Sequence, residues 1–250
     1  MRLKLLDLFS GIGGFSLGLE STGFFETIAF VEKDKFCQKV LNKNFKNIPI
    51  EEDIRNVKGS NYAADIITGG FPCQPFSVAG KRRGTEDDRY LWDETIRVIK
   101  ECKPRWFIGE NVEGIINISE GKVLQQIQKD LEAEGFEVQC VVIPASGIGA
   151  WHQRKRVWII GCNVSNTNSE RLQRRSISTN METKQRQISS ENSIKEQQTW
   201  WQTQSKLCGV PNGISYKLDK DRTNRIKSLG NSIVPQIARQ LGLAIMEVEQ

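Results

Sequence analysis

The sequence predicts an α/β protein with a doubly wound, mostly parallel sheet. Short apolar, strand-like runs alternate with helix-like patterns from residue 3 to residue 160. Loops rich in glycine, proline or charge follow several of these strands, which is where open α/β sheets bind their ligands. With 250 residues, the chain has the length of one domain, or of one domain that carries an insert.

Hydrophobic spacing predicts the individual elements in order. We expect strands at 3–9, 27–32, 65–68, 105–109, 138–143 and 157–160, with a further short strand before Asp53. We expect helices after the first strand to about residue 21, after the second strand to about residue 44, and around 92–103, 124–134 and 235–248. Trp92, Ile96 and Ile99 recur with helical spacing, and Pro104 ends that helix.

The alternation breaks after Cys162. Of the 43 residues from 163 to 205, 25 are Ser, Thr, Asn or Gln, and no hydrophobic period is present. We therefore predict a main domain at 1–162, a small inserted region at 163–221 and a C-terminal segment at 222–250 that returns to the main domain. Trp200 and Trp201 are expected to anchor the inserted region.

Composition excludes several classes of protein. No two of the six cysteines lie within four positions of each other, and His152 is the single histidine, which excludes paired-cysteine zinc sites and multi-histidine metal sites. No apolar run approaches the roughly 18 residues of a membrane span. The first residues do not form a secretory signal, so we expect an unexported protein. The net charge of +5 is compatible with a phosphate-rich partner.

The loop after the first strand, at 9–14, carries three glycines. Glycines there let a ligand approach the backbone and leave helix N–H groups pointing at it. Glu32 ends the second strand, where it could accept hydrogen bonds from ribose hydroxyls, and Asp53 could receive an adenine amino group. Because Ser16 stands where the dinucleotide fingerprint has its third glycine, the pattern favours a nucleoside without a pyrophosphate, such as S-adenosylmethionine. Each feature alone also fits a tight turn and a surface carboxylate.

Three further features lie at the same edge of the predicted sheet. Cys73 follows the third clear strand on a loop stiffened by two prolines, where its thiolate could act as a nucleophile. Glu110 ends a neighbouring strand and could supply a carboxyl acid. Arg154 and Arg156 open the last strand on one face. Each feature also has an ordinary structural explanation, namely a buried cysteine, a solvated loop carboxylate and a solvated strand start.

Together these runs resemble the cytosine-5 DNA methyltransferase family. The resemblance covers nearly the whole chain and keeps the family's motif order, in the runs 7–14, 70–74, 110–112, 154–156 and 225–235. The Pro-Cys-Gln and Glu-Asn-Val runs are highly specific to that family. The resemblance implies a Rossmann-like, S-adenosylmethionine-dependent methyltransferase fold in which 163–221 is a short target-recognition region.

The resemblance also implies a role for each site residue. By the family's mechanism, Cys73 would add to carbon 6 of a flipped-out cytosine and Glu110 would protonate its ring nitrogen 3. Arg154 and Arg156 would lie near that base and its phosphate. The implied contacts to S-adenosylmethionine are Phe9, Gly11, Gly13, Glu32, Asp53, Pro72, Leu91, Asn231 and Ser232. The implied DNA contacts lie on a mobile loop at 77–91 and are Lys81, Arg82, Arg83 and Arg89.

The implied activity is that of a DNA (cytosine-5-)-methyltransferase acting on a specific short site in double-stranded DNA. We expect a cytoplasmic monomer, in a prokaryotic cell or a phage-infected host, with a cognate restriction endonuclease as a candidate partner.

Three rival functions stay open on the sequence. An RNA cytosine-5 methyltransferase is the nearest rival, although the Cys-Phe-Thr run of the family's tRNA-acting branch is not found. A catalytically idle DNA-binding regulator with the same fold is disfavoured by intact Cys73, Glu110 and Arg154. A Rossmann oxidoreductase is disfavoured by Ser16, which replaces the third glycine of the dinucleotide fingerprint.

Overall fold

A seven-stranded sheet runs through the part of the chain that the structure describes. The computed structural model describes residues 2–72, 91–163 and 222–249. The strands are β1 (Leu3–Leu8), β2 (Phe25–Val31), β3 (Ile50–Glu51), β4 (Ile66–Gly69), β5 (Trp106–Val112), β6 (Phe136–Pro144) and β7 (Lys155–Asn163). Their order across the sheet is β3-β2-β1-β4-β5-β7-β6. Neighbours from β3 to β5 pair in parallel, and β7 is antiparallel to both β5 and β6.

Helices cover both faces of this sheet. They are α1 (Gly14–Glu20), α2 (Lys35–Asn44), α3 (Leu91–Cys102), α4 (Lys122–Ala133), α5 (Arg222–Asn231) and α6 (Pro235–Glu249). On one face, Ile99 of α3 and Ile127 of α4 pack with Leu6 and Leu8 of β1 in one buried apolar cluster. On the other face, the ring of Phe15 in α1 meets that of Trp158 in β7 edge-on, with centroids 5.7 Å apart. Because neighbouring residues of a strand point to opposite faces, the same strands supply apolar side chains to the helix layers on both faces.

Helix α1 packs directly against α6 through a glycine. A Cβ built on Gly18 would overlap the carbonyl oxygen of Pro235 and lie 2.7 Å from the Cβ of Ala238. Helix α6 is also tied to β5 at its far end, where Glu249 accepts hydrogen bonds from Arg105 at 2.5 Å and from the Trp106 indole at 2.8 Å. The C-terminal helix α6 is therefore part of the helical layer that packs against the sheet.

The predicted fold class is confirmed, and two features go beyond the prediction. The direction of β7 was not predicted, because apolar alternation defines a strand without giving its orientation. Helix α5 was not predicted either, because its only buried side chain among those that the structure describes is Ser228, while Ile226 and Leu229 are exposed. A helix without an apolar stripe gives no periodic signal. No helix in the described ranges is long and apolar enough to cross a membrane.

The chain divides into two units, one made of 1–167 with 221–250 and the other of 168–220. All described residues belong to the first unit. The predicted target-recognition region at 163–221, including Trp200 and Trp201, lies outside the described residues except for Asn163. The predicted mobile loop at 77–91 also lies outside them, apart from Leu91.

Candidate active site

A cavity of about 500 Å³ lies at the carboxyl edge of the parallel strands. The segments that line it come from the loops after β1, β2 and β4, the end of β5, the start of β7 and helix α5. Its lining residues are Phe9, Gly11, Glu32, Lys33, Asp34, Cys37, Gly70, Phe71, Pro72, Glu110, Asn111, Val112, Arg154, Arg156, Lys227, Ser228, Gly230 and Asn231.

The glycine loop after β1 forms one wall of this cavity. Phe9 and Gly11 adopt left-handed backbone conformations, with φ of 50° and 55°. These angles turn the chain so that the Ser10 N–H reaches the Val31 carbonyl at 3.1 Å and the Gly11 N–H reaches Glu32 Oε2 at 2.6 Å. No atom of the described residues lies within 4 Å of the position that a Cβ on Gly11 would occupy. The loop is therefore held against β2 while its glycine leaves open space on the cavity side.

Glu32 is the fixed acceptor of this wall. Its Oε1 accepts a hydrogen bond from the Asp34 N–H at 2.7 Å while Oε2 holds Gly11. Burial raises the pKa of Glu32, and the backbone hydrogen bonds oppose that rise. A carboxylate has about four acceptor positions, so two backbone donors leave capacity for the hydroxyls of a ligand.

A fully buried carboxyl group lies directly beneath the glycine loop. Asp7 in β1 accepts hydrogen bonds from Thr68 Oγ1 of β4 at 2.7 Å and from Ser16 Oγ of α1 at 3.0 Å. Its backbone carbonyl accepts a further bond from Ser10 Oγ at 2.5 Å. Burial raises the pKa of Asp7 to about 7. Asp7 thus joins the loop after β1, helix α1 and strand β4. Strand β4 leads to the Pro-Cys loop, the segment at 70–77 that carries Cys73.

The opposite wall holds a buried acid beside two guanidinium groups. Glu110 Oε1 lies 2.9 Å from Arg156 Nε, and only 8% of Glu110 is exposed. Burial raises the pKa of Glu110, while the positive charges of Arg156 and Arg154 oppose that rise. Burial and the charge of Arg156 lower the pKa of Arg154. Desolvation therefore outweighs the ion pair with Arg156, and the net effect is a raised pKa of Glu110.

Arg154 is held in place by the C-terminal segment. Its Nη2 donates to the Ser232 carbonyl at 2.8 Å, and its backbone has a φ of 24°. Left-handed backbone is costly for a residue other than glycine, and it persists where surrounding contacts determine it. Strand alternation predicts Arg154 and Arg156 on one face of the last strand. In the structure Arg154 lies just before β7 and only Arg156 lies within it, because the left-handed backbone of Arg154 interrupts the extended chain. The positive charges of both arginines nevertheless act on the Glu110 carboxyl group.

Asn111 connects the acid to the start of the Pro-Cys loop. Its Nδ2 donates to the Phe71 carbonyl at 3.0 Å, while its Oδ1 accepts from the Val112 N–H at 2.9 Å. Pro72 follows Phe71 and lines the cavity. Cys73, the predicted nucleophile, lies outside the described residues, as do Lys81, Arg82, Arg83 and Arg89. Phe71, two positions before Cys73, is thus held by Asn111, the residue that follows Glu110.

The structure brings most, but not all, of the predicted and described site residues to the cavity. Those that line it are Phe9, Gly11, Glu32, Pro72, Glu110, Arg154, Arg156 and Asn231. Those that do not line it are Gly13, Asp53, Leu91 and Ser232. Gly13 has a φ of 85° and precedes α1, where a Cβ would lie 2.5 Å from the Phe45 ring. Asp53 accepts a hydrogen bond from the Arg55 N–H at 3.0 Å within its own turn.

Several cavity residues were not predicted. Asp34 begins α2 by accepting hydrogen bonds from the Phe36 and Cys37 N–H groups at 2.8 and 3.2 Å, and it also meets Lys227 Nζ at 3.4 Å. An aspartate just before a helical pattern is a recognised helix-start signal, so its place could have been found. Cys37 meets Ser228 Oγ at 3.5 Å, a contact across 191 positions that no local pattern could reveal.

A model of the C-5 cytosine-specific DNA methylase family matches residues 3–208. The chain belongs to this family. Among curated members, the type II methyltransferase M.Bsp6I from Bacillus sp. is 39% identical over 163 residues, which are 64% of this chain and 52% of that protein. The type II methyltransferase M.AquIA from Picosynechococcus sp. is 38% identical over an alignment of 186 positions, which covers 67% of this chain and 75% of that protein.

This family member spans about half the length of most of the curated relatives that it resembles, with coverage of 37% for M.HgiCII and 52% for M.Bsp6I. Its fold is similar to that of a Spodoptera frugiperda DNMT2 mutant, with a TM-score of 0.59 and 24% identity over 66% of this chain and 51% of that chain. The S. pombe Dnmt2 methyltransferase has a TM-score of 0.56 and 20% identity over 64% of this chain and 51% of that chain. At these identities the likeness concerns the fold alone.

Proposed function

We propose that this chain transfers a methyl group from S-adenosylmethionine to carbon 5 of cytosine in double-stranded DNA. The observation that carries the proposal is the buried Glu110 carboxyl group, 2.9 Å from Arg156. Glu110 lines the same cavity as the glycine loop and Glu32, and so does Pro72, the residue before Cys73. A nucleoside-type donor and a heterocyclic acceptor could therefore meet in one cavity.

The residues of the glycine-loop wall fit S-adenosylmethionine. At Gly11 the described residues leave open space beside the backbone, into which a ligand would fit, and Glu32 is fixed as an acceptor for ribose hydroxyls. Phe9, Pro72 and Asn231 would complete the binding wall. Gly13 and Ser232, which do not line the cavity, would support the binding wall from behind. Asp53 and Leu91 would contribute to cofactor binding through the position of the chain segments to which they belong. When bound, S-adenosylmethionine supplies an electrophilic methyl group.

The protein's own residues would activate the cytosine. The Cys73 thiolate bonds to carbon 6, which drives electron density into the ring while Glu110 gives its proton to ring nitrogen 3. Carbon 5 would then accept the methyl group as its bond to the donor's sulfur breaks, with S-adenosylhomocysteine as the leaving group. Transfer of the carbon-5 proton to solvent water, return of the nitrogen-3 proton to Glu110 and expulsion of the Cys73 thiolate restore the aromatic ring. The raised pKa of Glu110 favours the protonated form that this role requires.

Arg154 and Arg156 would orient the base and its phosphate, because two guanidinium groups on one wall give donors in a fixed plane. The base has to leave the helix stack to reach this cavity. We assign DNA-backbone contacts to Lys81, Arg82, Arg83 and Arg89 and sequence reading to 163–221. We expect a monomer, with a cognate restriction endonuclease as a candidate partner.

Expression of the chain in a bacterial host without DNA methylation, followed by bisulfite sequencing of the host genome, tests this proposal. We expect 5-methylcytosine at one short recurring sequence. A host expressing Cys73→Ser serves as the control and should show none. Methylation of host RNA in place of DNA would favour an RNA methyltransferase, and no methylation of either would contradict an active enzyme.

A further inference from the structure

Trp151 is an exposed tryptophan beside the candidate active site. It is 72% exposed, whereas Trp92, Trp106 and Trp158, the other tryptophans that the structure describes, are buried. Its described ring contact is with His152, edge-on at a centroid distance of 5.5 Å. Exposing so large an apolar ring is unfavourable in water, which points to a partner that covers it.

The backbone that carries Trp151 is well held. The loop between β6 and β7 is closed by a hydrogen bond from the Ala145 N–H to the Gln153 carbonyl at 2.7 Å, and the Ala150 N–H reaches the Ala145 carbonyl at 3.2 Å. Ala145 and Ala150 are themselves buried. The indole therefore projects from a fixed support, so that its exposure belongs to the fold and not to a loose chain end.

The direction of β7 locates Trp151 at the edge that bears the chemistry. Val112, at the end of β5, pairs with Arg156 near the start of antiparallel β7, so the residues before β7 extend beyond the carboxyl edge of the parallel strands. Trp151 is three positions from Arg154, a separation of at most about 11 Å along an extended chain. The backbone of Trp151 consequently lies at most about 11 Å from that of Arg154, which lines the cavity together with Glu110.

The charges around this rim match a nucleic acid. Arg154, Lys155 and Arg156 stand three to five positions after Trp151. Of these, Arg156 pairs with Glu110, and Lys155 lies 3.7 Å from Glu113. An aromatic ring next to a cationic cluster is the arrangement that stacks on a base while the cations meet phosphates. Extrusion of a target base also exposes the faces of its neighbours in the helix.

We propose that Trp151 is a DNA-binding residue that stacks on a base whose face is uncovered when the target cytosine leaves the helix. This inference rests on the proposed function. It adds an aromatic contact on the β6–β7 side of the cavity to the contacts assigned to the loop at 77–91 and to the recognition region. Stacking on a face is tolerant of base identity, so Trp151 contributes to affinity more than to sequence choice.

Steady-state methyl transfer to unmethylated bacterial chromosomal DNA tests the inference with the full chain. Trp151→Ala should raise the KM for DNA about five- to 150-fold, which corresponds to about 1–3 kcal/mol of base stacking. The KM for S-adenosylmethionine should stay within twofold. Trp151→Phe should recover most of the loss because it keeps a π-face, whereas Trp151→Leu should behave like Trp151→Ala.

Phe24→Ala is the matched control. Phe24 is also an exposed aromatic residue, 39% exposed, but it precedes β2 and so lies at the opposite edge of the sheet. Its removal should leave the KM for DNA unchanged. An active wild-type protein whose Trp151→Ala variant keeps its KM for DNA would overturn the inference alone. The inference would also be overturned if Trp151→Ala raised the KM for S-adenosylmethionine as much as the KM for DNA and lowered the melting temperature, because the loss would then reflect a general folding defect. A wild-type protein that methylates no DNA would remove the proposed function together with the inference.

Discussion

At the scale of single residues, two buried carboxyl groups have different surroundings and different consequences. Glu110 faces the cavity beside the charges of Arg154 and Arg156, whereas Asp7 is enclosed by the hydroxyl groups of Thr68 and Ser16. Burial raises the pKa of both groups. Glu110 is thereby suited to give and regain a proton, and Asp7 is suited to join three elements of the fold.

Glu110→Gln should lower kcat by about 10²- to 10⁴-fold, because general acid catalysis contributes a factor of that size. Affinity for S-adenosylmethionine should change little, since Glu32 and Gly11 lie on the other wall. Glu113→Gln, an exposed glutamate three positions later, is the matched control and should keep kcat. A Glu110→Gln enzyme with kcat within twofold of wild type would remove Glu110 from the mechanism.

Asp7→Asn should change how stability depends on pH. With a pKa of about 7 in the folded state against 3.8 ordinarily, Asp7 binds its proton more tightly when folded, so its contribution to stability falls as pH rises from about 4 to about 7. Asparagine cannot ionise and lacks that loss. The melting temperature of Asp7→Asn relative to wild type should therefore increase between pH 5 and pH 8. A constant or decreasing difference in thermal melts would contradict a buried, proton-binding Asp7.

At the scale of elements, the contact of α1 with α6 aligns two walls of the site. The carbonyl of Ser232 that holds Arg154 lies just before α6, and a Cβ on Gly14 at the start of α1 would lie 2.8 Å from the Cβ of Ile233. Glycine at these positions lets the glycine loop and the C-terminal segment approach closely. The spacing of the two helices thus affects both the glycine-loop wall and the position of Arg154.

Gly18→Ala should destabilise the protein by about 1–3 kcal/mol, because its Cβ would overlap the Pro235 carbonyl and the Ala238 methyl group. Gly114→Ala is a suitable control, since its Cβ would have only an ordinary contact at 4.0 Å from Val112. Urea unfolding of the two variants measures the difference. If both variants unfolded at the wild-type midpoint, α1 and α6 could not be as tightly packed as described.

Sequence patterns predicted those elements whose physics is local. The β1 loop, the end of β5 and the start of β7 each carry periodicity or turn chemistry that can be recognised from neighbouring residues alone. The remaining features depend on long-range contacts. Asp53 follows β3 as expected, yet its carboxylate is used in its own turn, and the pairing of Cys37 with Ser228 arises only when α5 returns to the site. Helix α5 itself has no apolar stripe to predict it.

At the scale of the whole molecule, the candidate site unites distant parts of one chain. Phe9, Gly11 and Glu32 line the wall formed by the glycine loop, and Glu110 lines the opposite wall with Arg154 and Arg156. Helix α5 contributes the further lining residues Lys227, Ser228, Gly230 and Asn231. The chain leaves this unit after β7 and returns at α5, so both walls depend on the C-terminal segment. In the proposed function, both walls serve one covalent reaction through Cys73.

The most direct measurement is covalent trapping on DNA that contains the methylated site with 5-fluorocytosine at the target position. Fluorine on carbon 5 prevents the final elimination, so an enzyme that bonds to carbon 6 remains attached. We predict a stable protein–DNA adduct that requires S-adenosylmethionine, maps to Cys73 by mass spectrometry and is absent in Cys73→Ser. Efficient methylation of ordinary DNA with no trapped adduct, or an adduct at another residue, would contradict the covalent role of Cys73.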